Sequence, residues 1–140
     1  MLTRPLLVMV LLLTGCVAVR PALSSAAVAA SLSASGLPVS DVRVFTAADD
    51  PNKLLGRPNQ YIGKVSWKDL REPDDDATIE VFPDTATLKA RTTYTETISK
   101  SAGMFAQYIV PNEQRLALMR LPHRLTPDDA EAYKAWFAAL

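Results

Sequence analysis

The chain carries a single histidine, His123, between Pro122 and Arg124 in a connecting segment. A general base there needs a nucleophile or carboxylate brought beside it by folding, and nothing adjacent in sequence supplies one. A surface loop histidine is the plainer reading, so a hydrolase using His123 ranks third among the function classes considered. The run Asp74-Asp75-Asp76, with Asp69 and Glu72 nearby, has the oxygen ligands that calcium takes. Its spacing departs from an EF-hand loop, lacking the sixth-position glycine and the twelfth-position glutamate, and a solvated hairpin loop is the plainer reading. Arg57, held between Gly56 and Pro58, can grip a carboxylate or phosphate in bidentate fashion. The plainer reading is a structural bridge to a loop carbonyl or to an acid such as Asp49 or Asp50. Ser66, Ser99 and Ser101 have no acid-base neighbourhood visible in sequence. There is no nucleophile elbow, P-loop, zinc-protease helix or dinucleotide-binding glycine pattern. The expectation is a protein without catalytic residues, metal or cofactor.

Cys16 is the only cysteine. It closes Leu13-Thr14-Gly15-Cys16, preceded by Arg4 and the apolar run Leu6 to Leu13. A spanning helix needs roughly 20 apolar residues, more than this run provides. One positive charge, a short apolar stretch and small residues before a cut site read as a secretory signal. The tetrapeptide resembles a bacterial lipobox. That likeness implies cleavage before Cys16 and a thioether-linked diacylglycerol on it, with palmitate-type chains. One acyl chain binds membranes marginally, whereas two or more hold stably. An uncleaved apolar N-terminus and an ordinary signal cut further on are the alternatives. Lipidation would consume the cysteine, leaving no disulfide, thiolate metal site or cysteine nucleophile.

The expected organisation is a signal over residues 1–15, a lipidated cysteine and tether over 16–24, and one domain over 25–140. The chain has 15 basic and 15 acidic residues, and losing Arg4 with the signal leaves 14 against 15. That balance gives no basic footprint for nucleic acid. The membrane, reached through the lipid, and an envelope protein or cell-wall polymer are the expected partners.

The positioning elements follow from pattern. Ser24 to Leu32 is rich in alanine, with serine as a cap and Gly36 as a stop, which predicts a helix over 25–35; a disordered linker is the alternative. Val42, Val44 and Thr46 alternate as a strand. Asp50-Pro51 predicts a short helix ending at Gly56. Tyr61 to Lys68 and Thr78 to Phe82 predict a hairpin, with Asp69 to Asp76 as its loop. Asp84 caps a helix over 85–101. Met104 to Val110 and Arg115 to Leu121 predict a second hairpin, turning at Pro111-Asn112-Glu113. Thr126-Pro127-Asp128-Asp129 starts a last helix whose stripe is Ala130, Tyr133, Phe137 and Leu140, with Trp136 beside it. The 85–101 helix carries Arg91 in the middle of its apolar side. Its stem can lie over apolar neighbours with the guanidinium in water, or the guanidinium stays inside and must be paired, the preferred reading, with Glu80 or Asp50 the nearest acids by topology. This order predicts an α+β fold, a two-layer sandwich of an antiparallel sheet of about four to five strands with helices packed on it.

The run Asp50 to Pro58, followed by Tyr61 and Lys64, resembles small lipoproteins of actinobacteria. Those share Leu-Leu-Gly-Arg-Pro, Glu-Val-Phe-Pro and a terminal Leu-Thr-Pro helix, here Leu54–Pro58, Glu80–Pro83 and Leu125–Pro127. The resemblance implies location and fold and carries no activity. The first expectation is therefore a lipid-tethered, non-catalytic interaction or structural domain on the outer face of the cell membrane. The second is a small-molecule or ion-binding lipoprotein using Arg57 or Asp74–Asp76.

Cys16→Ala should move the protein from the membrane fraction to the soluble fraction. Retention of that variant through a high-salt wash would overturn the lipid-anchor expectation.

Overall fold

The computed structural model describes residues 22–140. Cys16, the signal and most of the tether expected over 16–24 lie outside the described residues. The chain runs α1 (Ser25–Ala34), β1 (Val39–Val44), β2 (Gly63–Asp69), β3 (Glu72–Val81), α2 (Thr85–Ser101), β4 (Gln107–Asn112), β5 (Ala117–Pro122) and α3 (Pro127–Ala139). A single 3-10 turn, Gly103–Phe105, joins α2 to β4. The strands form one sheet in the order β1-β2-β3-β5-β4, every neighbour antiparallel. This is the expected α+β architecture of an antiparallel sheet with helices packed on it. The helices divide between the two faces of the sheet.

Local chemistry sets the helix ends. The Ser24 hydroxyl accepts from the Ala27 N–H at 3.1 Å, and Gly36 takes φ +77° just beyond α1, so the alanine-rich segment is helical. The Asp84 carboxylate accepts from Thr87 N–H at 2.7 Å. Within α2 the threonines turn their hydroxyls inward along the helix: Thr92 donates to Leu88 O, Thr95 to Arg91 O and Thr97 to Thr93 O. That spends their side-chain donors on the helix backbone. Thr126 caps α3, accepting from Asp129 N–H at 3.2 Å.

Three expectations are corrected. Asp50 to Gly56 forms consecutive turns with no helix. The Asp50 carboxylate accepts from the N–H groups of Asn52, Leu54 and Leu55, which winds the chain around one buried side chain. The expected Asp69–Asp76 loop is a tight turn at Leu70-Arg71, and β3 already begins at Glu72. Pairing with β2 holds the two ends of this stretch, Glu72 opposite Asp69 and Asp76 opposite Lys68, with the register shifting between them. β1 also starts earlier than expected, at Val39, and its pairing with β2 shifts register around Asp41, which takes φ 52°.

Alternation along the strands separates two faces. Val65, Trp67, Ile79, Met119 and Leu121 point to one side, packing with Val28 and Leu32 of α1 and with Ala130, Tyr133 and Phe137 of α3. The Trp136 indole N–H donates to Ser31 Oγ at 3.1 Å, joining the two helices. The Tyr133 hydroxyl donates to the fully buried Asp69 carboxylate at 2.7 Å, and Arg71 donates to the same group and to Asp129. Burial alone would raise the Asp69 pKa; the Arg71 and Tyr133 donors outweigh it and hold the carboxyl below its ordinary value. On the opposite face α2 lays Leu88 against Tyr61, Phe82 and Leu118.

Phe137 is 1% exposed inside the larger core. Phe137→Ala should cost ~3–5 kcal/mol in a denaturant melt, the range for core aromatic truncations. A loss below ~1 kcal/mol would show that α3 does not complete the core.

Candidate ligand-binding cleft

On the α2 side of the sheet the alternation places charged groups where the other face has core. β3 contributes Thr78 and Glu80, β5 contributes Leu118 and Arg120, and β2 contributes Lys64. Glu80 is fully buried. It accepts from Arg91 Nε at 2.9 Å and Nη2 at 2.8 Å, and from Arg120 Nη2 at 3.1 Å. The expected pairing of Arg91 is therefore present, with Glu80 as its partner. The two arginine side chains are 12% and 16% exposed. Burial by itself would lower the Arg91 pKa; the Glu80 carboxylate outweighs it and raises it. The Arg91 guanidinium also lies over the Tyr61 and Tyr94 rings, 5.6 and 5.5 Å from their centroids.

A second buried pair adjoins. Lys64 Nζ donates to Asp50 at 2.8 Å, and the Tyr61 hydroxyl donates to the same carboxylate at 2.7 Å. Burial would push the Asp50 pKa up, but Lys64, Tyr61 and the Leu54 and Leu55 N–H groups override it and hold the carboxyl well below the usual range. The Tyr61 hydroxyl is pushed up, first by burial and then by its bond to Asp50.

Over these pairs opens a cleft of about 590 Å³, within the ~300–1,000 Å³ of small-molecule sites. Its floor is Lys64, Thr78 and Arg120. α2 supplies one wall through Arg91, Tyr94, Thr95 and Ile98, and the 3-10 turn supplies an apolar lip of Met104 and Phe105. Asp75, Asp76, Gln107 and His123 stand around the rest of the rim. Thr78 and Arg120 are cross-strand partners. Thr78 Oγ1 and Arg120 Nε are both buried without a hydrogen-bond partner among the described residues. Arg120 Nη1 reaches Gln107 Oε1 only at 3.5 Å. Buried polar atoms are nearly always paired, so two orphans side by side mark a place where folding alone does not account for the chemistry.

The residues singled out from sequence scatter. Asp75 and Asp76 border the cleft, and Asp74 does not. Asp76 also stands 3.9 Å from Lys68. Among the described residues no three His, Cys, Asp or Glu side chains converge as a metal site. Arg57 is exposed and lies outside the cleft. The acids suggested as its bridges are engaged elsewhere: Asp49 by Arg43 and Thr46, Asp50 by Lys64 and Tyr61. Ser99 accepts from Gln107 N–H, and Ser101 donates to Ile98 O, so both serve local structure. Thr78 and Arg120 were not singled out from sequence, and Lys64 entered only through the resemblance, with no binding role. The signal that marks them is a charged or hydroxyl residue at alternate positions between core residues, as in Ala77-Thr78-Ile79-Glu80-Val81 and Met119-Arg120-Leu121. Donors dominate the floor, and the arrangement suits non-covalent capture of an anionic or polar group. Comparison with protein-family models, with curated proteins and with solved structures finds no match.

Asp50→Asn keeps the shape of the loop and leaves the Lys64 ammonium, 4% exposed, without its counter-charge. The expected cost is ~3–5 kcal/mol in urea unfolding. The pH dependence has a definite sign. The folded-state pKa of Asp50 is depressed, so its contribution is complete above the unfolded value of ~3.9 and is lost as pH falls below it. The melting temperature of the variant should therefore fall less steeply with acid than that of the wild type, the remaining slope coming from the other carboxyls held below their ordinary values, Asp49, Asp69 and Asp84. Parallel curves would overturn this account of Asp50.

Proposed function

We propose that the protein is a lipid-tethered, non-catalytic binding protein of the extracytoplasmic membrane face, and that its cleft takes a small molecule. The observation that carries this reading is the pair of buried, unpartnered donors on the floor of a cleft of ligand size. A purely structural interaction domain, held by an envelope protein or cell-wall partner, has no need of such a hollow. The membrane location rests on Leu13 to Cys16 and on the likeness to actinobacterial lipoproteins. His123 borders the cleft, as a hydrolase would require. Of the two lining threonine hydroxyls, Thr95 is spent on main-chain carbonyls, and among the described residues no hydrogen bond joins His123 to a hydroxyl or carboxylate. That favours binding over catalysis.

Native mass spectrometry of the protein released from its own membranes should show a small-molecule adduct. Thr95→Trp and Ile98→Trp, which fill the cleft from its buried and exposed sides, should lose that adduct while keeping the wild-type circular dichroism spectrum. An adduct retained in both folded variants, or no adduct in any preparation together with no hit in a fragment screen, would sink the proposal.

A further inference from the structure

The charges of the cleft restrict what it can hold. Below it lie three cations, Lys64, Arg91 and Arg120, against two carboxylates, Asp50 and Glu80. The buried set therefore carries one positive charge in excess. At the rim Asp75 and Asp76 set a negative boundary. One full negative charge is thus welcome at the floor, and a second, nearer the mouth, meets repulsion. The donors left over are also specific in shape. Arg120 Nε and the Thr78 hydroxyl sit on adjacent strands in register, which suits the two oxygens of one planar carboxylate. Away from the floor the lining turns apolar, and Ile98, Met104 and Phe105 remain 38%, 81% and 51% exposed. Such exposed apolar groups beside a charged floor match a ligand with one charged end and an apolar body.

We infer that the cleft binds a monocarboxylate bearing an apolar chain. This rests on the small-molecule reading above and narrows it. The carboxylate accepts from Thr78 Oγ1 and from Arg120 Nε, and the chain lies along Ile98, Met104 and Phe105. Both donor atoms are covered in this state, so binding requires the Arg120 side chain to turn away from Gln107 and from its Nη2 bond to Glu80. Glu80 keeps its bidentate partner Arg91 throughout.

The test is calorimetric titration of the full chain in lipid nanodiscs, with empty nanodiscs subtracted. Octanoate, octylamine and octyl phosphate are the probes. Octanoate should bind saturably, octylamine should not bind, and the doubly charged phosphate should bind about 10-fold more weakly or worse, the scale of one misplaced charged hydrogen bond. Thr78→Val is the decisive variant. It keeps the side-chain shape and removes a hydroxyl with no protein partner, so the melting temperature should hold or rise while octanoate affinity falls about 10-fold. Arg120→Gln should weaken octanoate by at least as much. Equal binding of octylamine, an unchanged affinity in Thr78→Val, or no saturable octanoate binding would overturn the inference. If octanoate fails while another adduct is still lost in Thr95→Trp and Ile98→Trp, the small-molecule reading stands and only the ligand class is wrong. If no adduct responds to those variants, both fall.

Discussion

Glu80 has no contact with solvent, yet three separate elements depend on its charge. It sits on β3, draws Arg91 down from α2 and holds Arg120 of β5 beside it. An ionised group removed from water is tolerated only when it is paired and hydrogen-bonded, and breaking such a pair costs more than the pair itself contributes. The carboxylate therefore specifies where α2 can lie as well as binding it there. A leucine in its place would pack, but it would not require an arginine at one height on the helix. The Asp50–Lys64 pair repeats the principle for the loop before β2, whose backbone donors converge on the same carboxylate that neutralises the lysine.

The two faces of the sheet divide the labour. The α1/α3 face is filled by aromatic and aliphatic side chains, and its one buried acid, Asp69, is satisfied by Tyr133 and Arg71. That face supplies most of the apolar burial that folding needs. The α2 face is only partly covered, by Leu88 and the ion pairs, and the remainder is the cleft. A polar hollow of this kind is sustainable because the other side of the same strands already carries the fold.

How much of this could be read from the chain depended on how local each interaction is. Caps are local: Ser24, Asp84 and Thr126 with Pro127 placed all three helices within a residue or so of their observed ends. Helical phase is nearly local, and it was enough to put Arg91 on the inner side and, with topology, to narrow its partner to Glu80 or Asp50; the structure selects Glu80. The segment after Asp50 misled because the same carboxylate that would start a helix is captured from far along the chain by Tyr61 and Lys64. Three consecutive aspartates read as a loop for want of β propensity, but Asp76 pairs with Lys68 and Glu72 with Asp69, so Asp74 and Asp75 are carried along β3 in the irregularity between those two pairs. The cleft itself was illegible. Thr78 and Arg120 are distant in sequence and meet only because β5 inserts between β3 and β4, a strand order that hairpin spacing does not dictate.

The threonines of α2 have one more consequence. Hydroxyls returned to the carbonyl a turn earlier let a β-branched sequence form a helix, and they also weaken and bend it. Among its side chains only Thr87, Leu88 and Thr95 are buried. The helix is thus pinned near its start by Leu88 and latched at mid-length by Arg91, while its second half rests lightly on the sheet. Local opening begins where few apolar groups would be exposed by it. The wall of the cleft is therefore lightly held along the second half of α2, and it can open while the five strands and the α1/α3 core stay closed. In amide hydrogen exchange the segment from Glu96 to Ser101 is then expected to exchange faster than the strands that floor the cleft.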